Sequence, residues 1–316
     1  MTTLDQDANA ALAITRPRER RVAGWRIDWF NVFGLSSYHV LGVLAFTPWF
    51  FSWYGLAFAI LAHFTIGLLG VSVCYHRLLT HRAFRCPRWL EYSLALMGVC
   101  CSMDSPAWWV ATHRLHHQYT DDLDGDPHTP IKSLYWAHMG WLFYKNDRTD
   151  REAVTQRYAR EMMRQPFYAW LERYWKGIIT VCWAVALTSG FVTGKLSGLS
   201  TADSVMMAAT FLLWGVIVRT LVTWHAIWAI NSVAHSWGYR NYATREGSRN
   251  NFVIGLLANG EGWHNNHHAD PNSAMHGHRW WEFDLAWCVI RLLAALGLAK
   301  DIVLPAPRRR FGESVD

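Results

Sequence analysis

Long apolar runs alternate along this chain with shorter stretches dense in charge and histidine. From Trp29 to Cys74 there are 46 residues without one charged side chain. That is room for two spans of about 20 residues each. The aromatic stretch Trp49-Phe50-Phe51-Ser52-Trp53-Tyr54-Gly55 between them reads as an interfacial turn, since Trp and Tyr favour the headgroup level. A second apolar block runs from Gly177 to Gly194, and a third from Ser204 to about His235, broken only by Arg219. The pattern predicts an all-α integral membrane protein with four transmembrane helices at about 31–50, 55–75, 177–195 and 204–230.

Two of these helices are too long for the bilayer. One from Ser204 to His235 would extend about 48 Å at 1.5 Å per residue, against a hydrocarbon core of about 30 Å. Its last turns, with Asn231 and His235, must stand clear of the lipid. The same holds for a helix from Gly55 to His81. The apolar stretch Trp89–Met103 is short for a span and predicts an interfacial or buried helix.

Composition and charge agree. Hydrophobic residues make up 52% and charged residues 17%, which excludes an ordinary soluble domain. Of 30 Lys and Arg residues, 28 fall in segments that the four spans place on one side. By the positive-inside rule that side is cytoplasmic, with both termini. Residues 1–28 read as a basic cytoplasmic tail, 29–300 as one domain and 301–316 as a C-terminal tail. Residues 1–28 lack the apolar core and cleavage site of a secretory signal. Lipid contact and topology account for the net charge of +6 without a nucleic-acid partner. The six cysteines form no CxxC pair, which fits a reduced compartment. Arg219 needs a partner, a polar path or an interface within reach.

Sixteen histidines are present, and nine fall into four tight groups. These are His76-Arg-Leu-Leu-Thr-His81, His113-Arg-Leu-His116-His117, Asn231-Ser-Val-Ala-His235 and His264-Asn-Asn-His267-His268. Spacing of i, i+3 and i+4 puts three side chains on one helix face. Two such triads with His76, His81 and His235 supply nine imidazoles on the side where the helices overrun the bilayer. Nine ligands are too many for one ion and suit two. Thiolates for a structural zinc site are lacking, and so is the Glu-x-x-His motif of soluble di-iron bundles. Iron fits a nearly all-nitrogen site with redox chemistry. His39, His63, His128, His138, His225, His276 and His278 stand outside the motifs and read as structural.

On these motifs the chain resembles the membrane fatty acyl desaturases of the stearoyl delta-9 class over roughly residues 25–300. HRLLTH, HRLHH, NSVAH and GEGWHNNHH occur in the family's order, and the stretch around His113 is similar to the cyanobacterial and plant branch. The resemblance implies four transmembrane helices under a cytosolic helical cap that holds two irons. It implies His76, His81, His113, His116, His117, His235, His264, His267 and His268 as iron ligands, with Asn231 acting through a water. It further implies that O2 and two electrons place a cis double bond, delta-9 in the named class, in a saturated acyl chain. The electrons would come from a separate ferredoxin or cytochrome b5-type donor, which the basic face could dock. Trp228 matches a residue at the bend of the acyl tunnel, preceded here by Ile227 where relatives often have Thr. The Arg-Asp pair that helps to hold CoA in animal enzymes is replaced by Ala111 and Thr112. An acyl group on CoA or on a membrane lipid both fit, and Lys132 or Lys145 could meet a head group.

Two other readings use the same residues. Related di-iron hydroxylases and alkane oxygenases space their histidines differently, often as HxxxH or HxxGHH. A metal carrier would place ionisable groups near the bilayer midplane, whereas these cluster at helix ends. The ligand assignment predicts that His267→Ala abolishes turnover and lowers bound iron. Full activity with intact iron content would overturn it.

Overall fold

The structure is a computed structural model that describes residues 24–146 and 149–306. Of the expected tail at 1–28, residues 1–23 lie outside the described residues. Most helices begin where a short polar side chain accepts a hydrogen bond from a free backbone N–H. Asp28 starts α1 (Trp29–Leu44), Ser52 starts α2 (Trp53–Thr80), and Ser105 with Pro106 behind it starts α4 (Pro106–Tyr119). Between them, α3 (Arg88–Cys100) follows Pro87. Ser133 caps α5 (Leu134–His138) and Asp150 caps α6 (Arg151–Tyr158). The long helices α7 (Pro166–Leu196) and α8 (Thr201–Ser232) follow, then α9 (Phe252–Leu257), α10 (His264–Ala269) and α11 (Leu285–Ala295). A two-stranded antiparallel ladder pairs Arg26–Ile27 with Tyr144–Lys145, so the end of the expected N-terminal tail is built in.

Three helices, α2, α7 and α8, are long and apolar enough to cross a membrane. They contain the expected spans at 55–75, 177–195 and 204–230. The expected span at 31–50 holds α1, whose 16 residues reach about 24 Å. Only 11% of the most apolar part of α7 is buried, so its apolar side chains face outward and call for lipid. α7 and α8 approach closely through small residues. A Cβ on Gly190 would lie 2.7 Å from Ala208 Cα, and one on Gly194 2.8 Å from Ser204 Cα.

The expected short helix at 89–103 is α3, with Leu94, Ala95, Gly98 and Val99 buried. It lies along α2 at a glycine crossing. A Cβ on Gly70 would collide with the backbone nitrogen of Gly98, and one on Gly98 with the ring of Tyr75. The turn after α3 carries Ser102 at φ +54° and Asp104 at φ +70°. Its carbonyls are satisfied by side chains of the long helices. Arg219 Nη2 donates to Cys100 O at 2.8 Å, Trp224 Nε1 to Ser102 O at 3.1 Å, and the Tyr75 hydroxyl to Asp104 O at 3.2 Å. Arg219 is buried and caps the negative end of the α3 dipole, which answers how a charge is carried inside this helix.

The C-terminal segment is also tied down. Lys300 and Arg85 exchange backbone hydrogen bonds at 2.8 Å, Val303 N donates to Ala83 O, and Ala306 N to Asp270 Oδ2. The first residues of the expected tail at 301–316 therefore cover the loop beyond α2. The glycine crossing predicts that Gly70→Ala forces α2 and α3 apart at a cost of about 1–3 kcal/mol. A thermal melt in detergent should show a lower midpoint, and an unchanged midpoint would count against the crossing.

Candidate metal centre

The end of α2 is wound with i→i+5 hydrogen bonds, as a π-helix over His63–Thr80. The His81 N–H donates to His76 O at 3.1 Å, and the Thr80 hydroxyl to Tyr75 O at 2.7 Å. In an α-helix residues five apart stand about 140° apart around the axis. The π winding returns them to one face, which is how the spacing HxxxxH presents both imidazoles together.

The nine motif histidines meet in two groups. Ring nitrogens of His76, His81, His113, His117 and His267 all lie within 4.8 Å of one another, and so do those of His116, His235, His264 and His268. The two HxxHH triads interlock. α4 gives His113 and His117 to the first group and His116 to the second. α10 gives His264 and His268 to the second and His267 to the first. Asn231 is half-buried, four residues before His235.

Within each group Nε2 faces Nε2. His76 and His267 approach to 3.1 Å, His267 and His117 to 2.9 Å, and His113 lies 3.1 Å from both His117 and His81. In the second group His264 lies 2.9 Å from His235 and 3.0 Å from His268. Nε2 of His116 is buried without a hydrogen-bond partner. A neutral imidazole has one N–H. Where that proton is directed outward from Nδ1, the Nε2 lone pairs oppose each other. Such a cage is favourable around a cation, so the donor set fits a pair of metal ions.

The outward nitrogens meet carboxylates that sequence reasoning missed. Nδ1 of His76 lies 2.6 Å from Glu261 Oε2, Nδ1 of His116 3.0 Å from Asp126 Oδ2, and Nδ1 of His235 3.2 Å from Asp121 Oδ1. Glu246 Oε1 is 3.7 Å from Nδ1 of His268. The buried Arg77 holds Asp284 at 2.9 and 3.0 Å and Glu261 at 3.2 and 3.3 Å. Five carboxylates face one guanidinium beside the nine imidazoles, an excess of negative charge that suits bound cations. Glu261 sits three residues before His264, but nothing in one sequence says that it reaches back to His76.

The two sides of the site differ. Burial works against ionising Glu261, and Arg77, His76 and His276 overcome it, holding its carboxyl well below the usual carboxylate range. Asp121 and Glu246 instead line an open pocket of about 580 Å³ that also reaches His235.

Asn265 and Asn266, between the histidines of α10, hold that six-residue helix in place. Asn265 Oδ1 accepts from the backbone of Asn241 and Tyr242 at 2.8 Å. Asn266 Nδ2 donates to Glu282 Oε2 and to His276 O, both at 2.8 Å. A helix this short is not stable alone.

The histidines outside the motifs separate into two kinds. His63 bonds Thr223 and Leu257 O, and His278 bonds the Tyr242 hydroxyl. His39, His225 and His138 form a hydrogen-bonded row ending on Ser232. His128 and His276 instead border the two groups, beside Asp126 and Glu261. Trp228 is buried, stacked on Trp224 with ring centres 5.3 Å apart and edge-on to His225 and His138.

Residues 47–299 match the family model for fatty acid desaturases. The chain is 38% identical to an sn-2 palmitoyl-lipid 9-desaturase of Nostoc sp. (strain 36), over 90% of this chain and 93% of the relative. It is 36% identical to the chloroplastic palmitoyl-monogalactosyldiacylglycerol delta-7 desaturase of Arabidopsis thaliana, over 93% and 75%. It is 35% identical to an icosanoyl-CoA 5-desaturase of Limnanthes douglasii, over 92% and 78%.

Burial and neighbouring imidazoles hold His113, His117, His264, His267 and His268 well below the ordinary histidine range. They are neutral at pH 7, as metal ligands must be. In the unfolded chain the same groups bind protons below about pH 6.5. Stability of the metal-free protein should therefore be intact above that pH and fall as pH drops, by up to about 1.4 kcal/mol per unit for each histidine. Melting in detergent from pH 8 to pH 5.5 checks this, and a flat midpoint would contradict it.

Proposed function

The chain belongs to the fatty acid desaturase family and is an oxidoreductase, and from that premise we propose that it places a cis delta-9 double bond in acyl chains carried on membrane lipids. The observation that carries this reading is the interlocked pair of histidine groups, five and four, at the end of apolar helices. We assign the nine histidines as ligands of two iron ions, with Asn231 joining the second group through a water. Bound there, the irons supply the redox chemistry by which O2 and two electrons from an external donor remove two hydrogens from adjacent methylenes.

The residues of the chain do the rest. Glu261 and Asp126 direct the Nδ1 protons of His76 and His116 outward, and Asp121 faces Nδ1 of His235 at 3.2 Å, so each Nε2 would be left free to hold a metal. Arg77 keeps the buried carboxylates charged and fixed. Trp228 bends the acyl chain, so that one methylene pair faces the irons. α1 serves as the fourth span, since Phe30, Phe33, Val40 and Val43 are exposed along it and would meet lipid. The cap, both termini and the metal site lie on the cytoplasmic side, where the Lys and Arg residues gather. A ferredoxin or cytochrome b5-type protein delivers the electrons there.

A lipid carrier is favoured over CoA by three observations. Ala111 and Thr112 are uncharged and buried on α4, so they offer nothing to a CoA head. Lys132 is held between Trp25 and Trp136, 4.3 and 4.4 Å from their ring centres. Lys145 lies 3.5 Å from Asp28. The names of the first relatives, lipid 9-desaturases, support the same choice, while the delta-7 and CoA-linked relatives set the alternatives to test.

The test is expression in a host lacking unsaturated acyl chains, with its own or a supplied electron donor, followed by mass spectrometry of lipids. The expected product is a cis olefin between carbons 9 and 10. A hydroxylated chain without olefin would overturn the assignment. Purified protein offered both carriers should turn over the lipid and leave acyl-CoA unchanged.

A further inference from the structure

Two carboxylates in the site are each shared between a motif histidine and a second buried histidine outside the motifs. Glu261 Oε2 lies 2.6 Å from Nδ1 of His76 and 3.1 Å from Nδ1 of His276. Asp126 lies 3.0 Å from Nδ1 of His116 through Oδ2 and 3.5 Å from Nδ1 of His128 through Oδ1. All six side chains are buried. The pattern occurs once beside each group of converging histidines. The extra ring also packs on that group. His276 has its ring centre 4.5 Å from that of His267, and His128 4.4 Å from that of His116. Nε2 of His276 is buried without a hydrogen-bond partner, and the Nδ1 approaches of His276 and His128 to their carboxylates are ion-pair contacts without hydrogen-bond geometry.

We propose that His276 and His128 are positioning residues for the metal centre, each fixing the carboxylate that orients one ligand histidine. A carboxylate that accepts from the outer N–H of a ligating imidazole fixes its tautomer and raises its donor strength. It can do so only if it stays ionised and in the plane of the ring. A carboxylate in a sealed core resists ionisation unless several donors hold it. The second imidazole supplies such a group, with its Nδ1 within ion-pair distance of the carboxylate.

The two positions are not equal. Arg77 gives Glu261 two further bonds, at 3.2 and 3.3 Å. Among the described residues Asp126 has no guanidinium beside it: it accepts from the His116 ring and from backbone N–H groups of Asp121 at 2.9 Å and His128 at 3.1 Å, and the His128 ring is its remaining ion-pair neighbour. Removing the His128 ring therefore frees its carboxylate more than removing that of His276 does. The effects should also stay on separate sides, His276 acting on the five-histidine group and His128 on the four-histidine group.

The inference rests on the two-metal reading, and the experiment separates the two. The metal-free full-length protein is titrated with cobalt(II) and followed by ligand-field absorption, which differs between five-nitrogen and four-nitrogen sites. Wild type binding fewer than two cobalt ions would overturn the two-metal reading itself. With two bound, His128→Leu should weaken the four-nitrogen site by about tenfold or more and shift its bands. His276→Leu should weaken the five-nitrogen site by less. His128→Asn and His276→Asn keep an N–H near the Nδ1 position and should bind more tightly than the leucine variants. Asp126→Asn combined with His128→Leu should be no weaker than Asp126→Asn alone, since His128 acts through that carboxylate. Where leucine fails to fold, judged by helical circular dichroism, phenylalanine replaces it. Unchanged affinities and bands, equal loss at both sites, a reversed order, or asparagine variants as weak as leucine would each overturn the proposal.

Discussion

The structure depends on a buried charge balance. Nine imidazoles converge on two points from four segments of the chain, and such a cage brings no negative charge of its own. That charge comes from outside the cage, through the buried Glu261, Asp284 and Asp126 and the pocket-lining Asp121 and Glu246, with the buried Arg77 guanidinium against Glu261 and Asp284. An unpaired ion in this interior would cost several kcal/mol. Each carboxylate is therefore anchored to a histidine, to Arg77 or to backbone N–H groups, and those anchors fix where the elements sit. Arg77 bridges the end of α2, the segment before α10 and the start of α11 in one contact set.

The scaffold keeps that set rigid by close backbone approach rather than by bulky packing. Gly70 against Gly98 seats α3 on α2, and Gly190 and Gly194 seat α7 on α8. The turn between α3 and α4 would be costly in an apolar interior, and Arg219, Trp224 and Tyr75 supply its missing donors. Since α4 carries His113, His116 and His117, this capping also sets the height at which they meet α2.

Much of this was legible in the sequence for definite reasons. Long apolar runs, interrupted by charge only at Arg219, marked α2, α7 and α8, because a bilayer imposes length and polarity together. Helical spacing marked the two triads, because i, i+3 and i+4 are neighbours whatever the fold. The division into five and four was not legible, since it depends on how α4 crosses α10. The π winding under His76 and His81 was hidden because local sequence rarely states helix pitch. His128 and His276 read as ordinary core residues, each being a single histidine. Their carboxylate partners are shared with other elements, so only the folded chain shows the pairing. Arg219 was marked as an anomaly, but its partner is a helix end, which has no residue code.

The interlocking of the triads bears on the order of assembly. His117 and His267 touch across 150 residues of chain, and neither group is complete until α10 docks on α4. Closing a loop of that length comes late, because its entropy must be met before the contact returns anything. During synthesis the first two histidine motifs will already be in place while the fourth has yet to be made. On the proposed two-metal reading, loading then belongs to the nearly finished chain, and a truncated product would offer only scattered, weak sites. A centre so loaded would act as a closing staple, joining the two ends of the fold after the helices between them have formed.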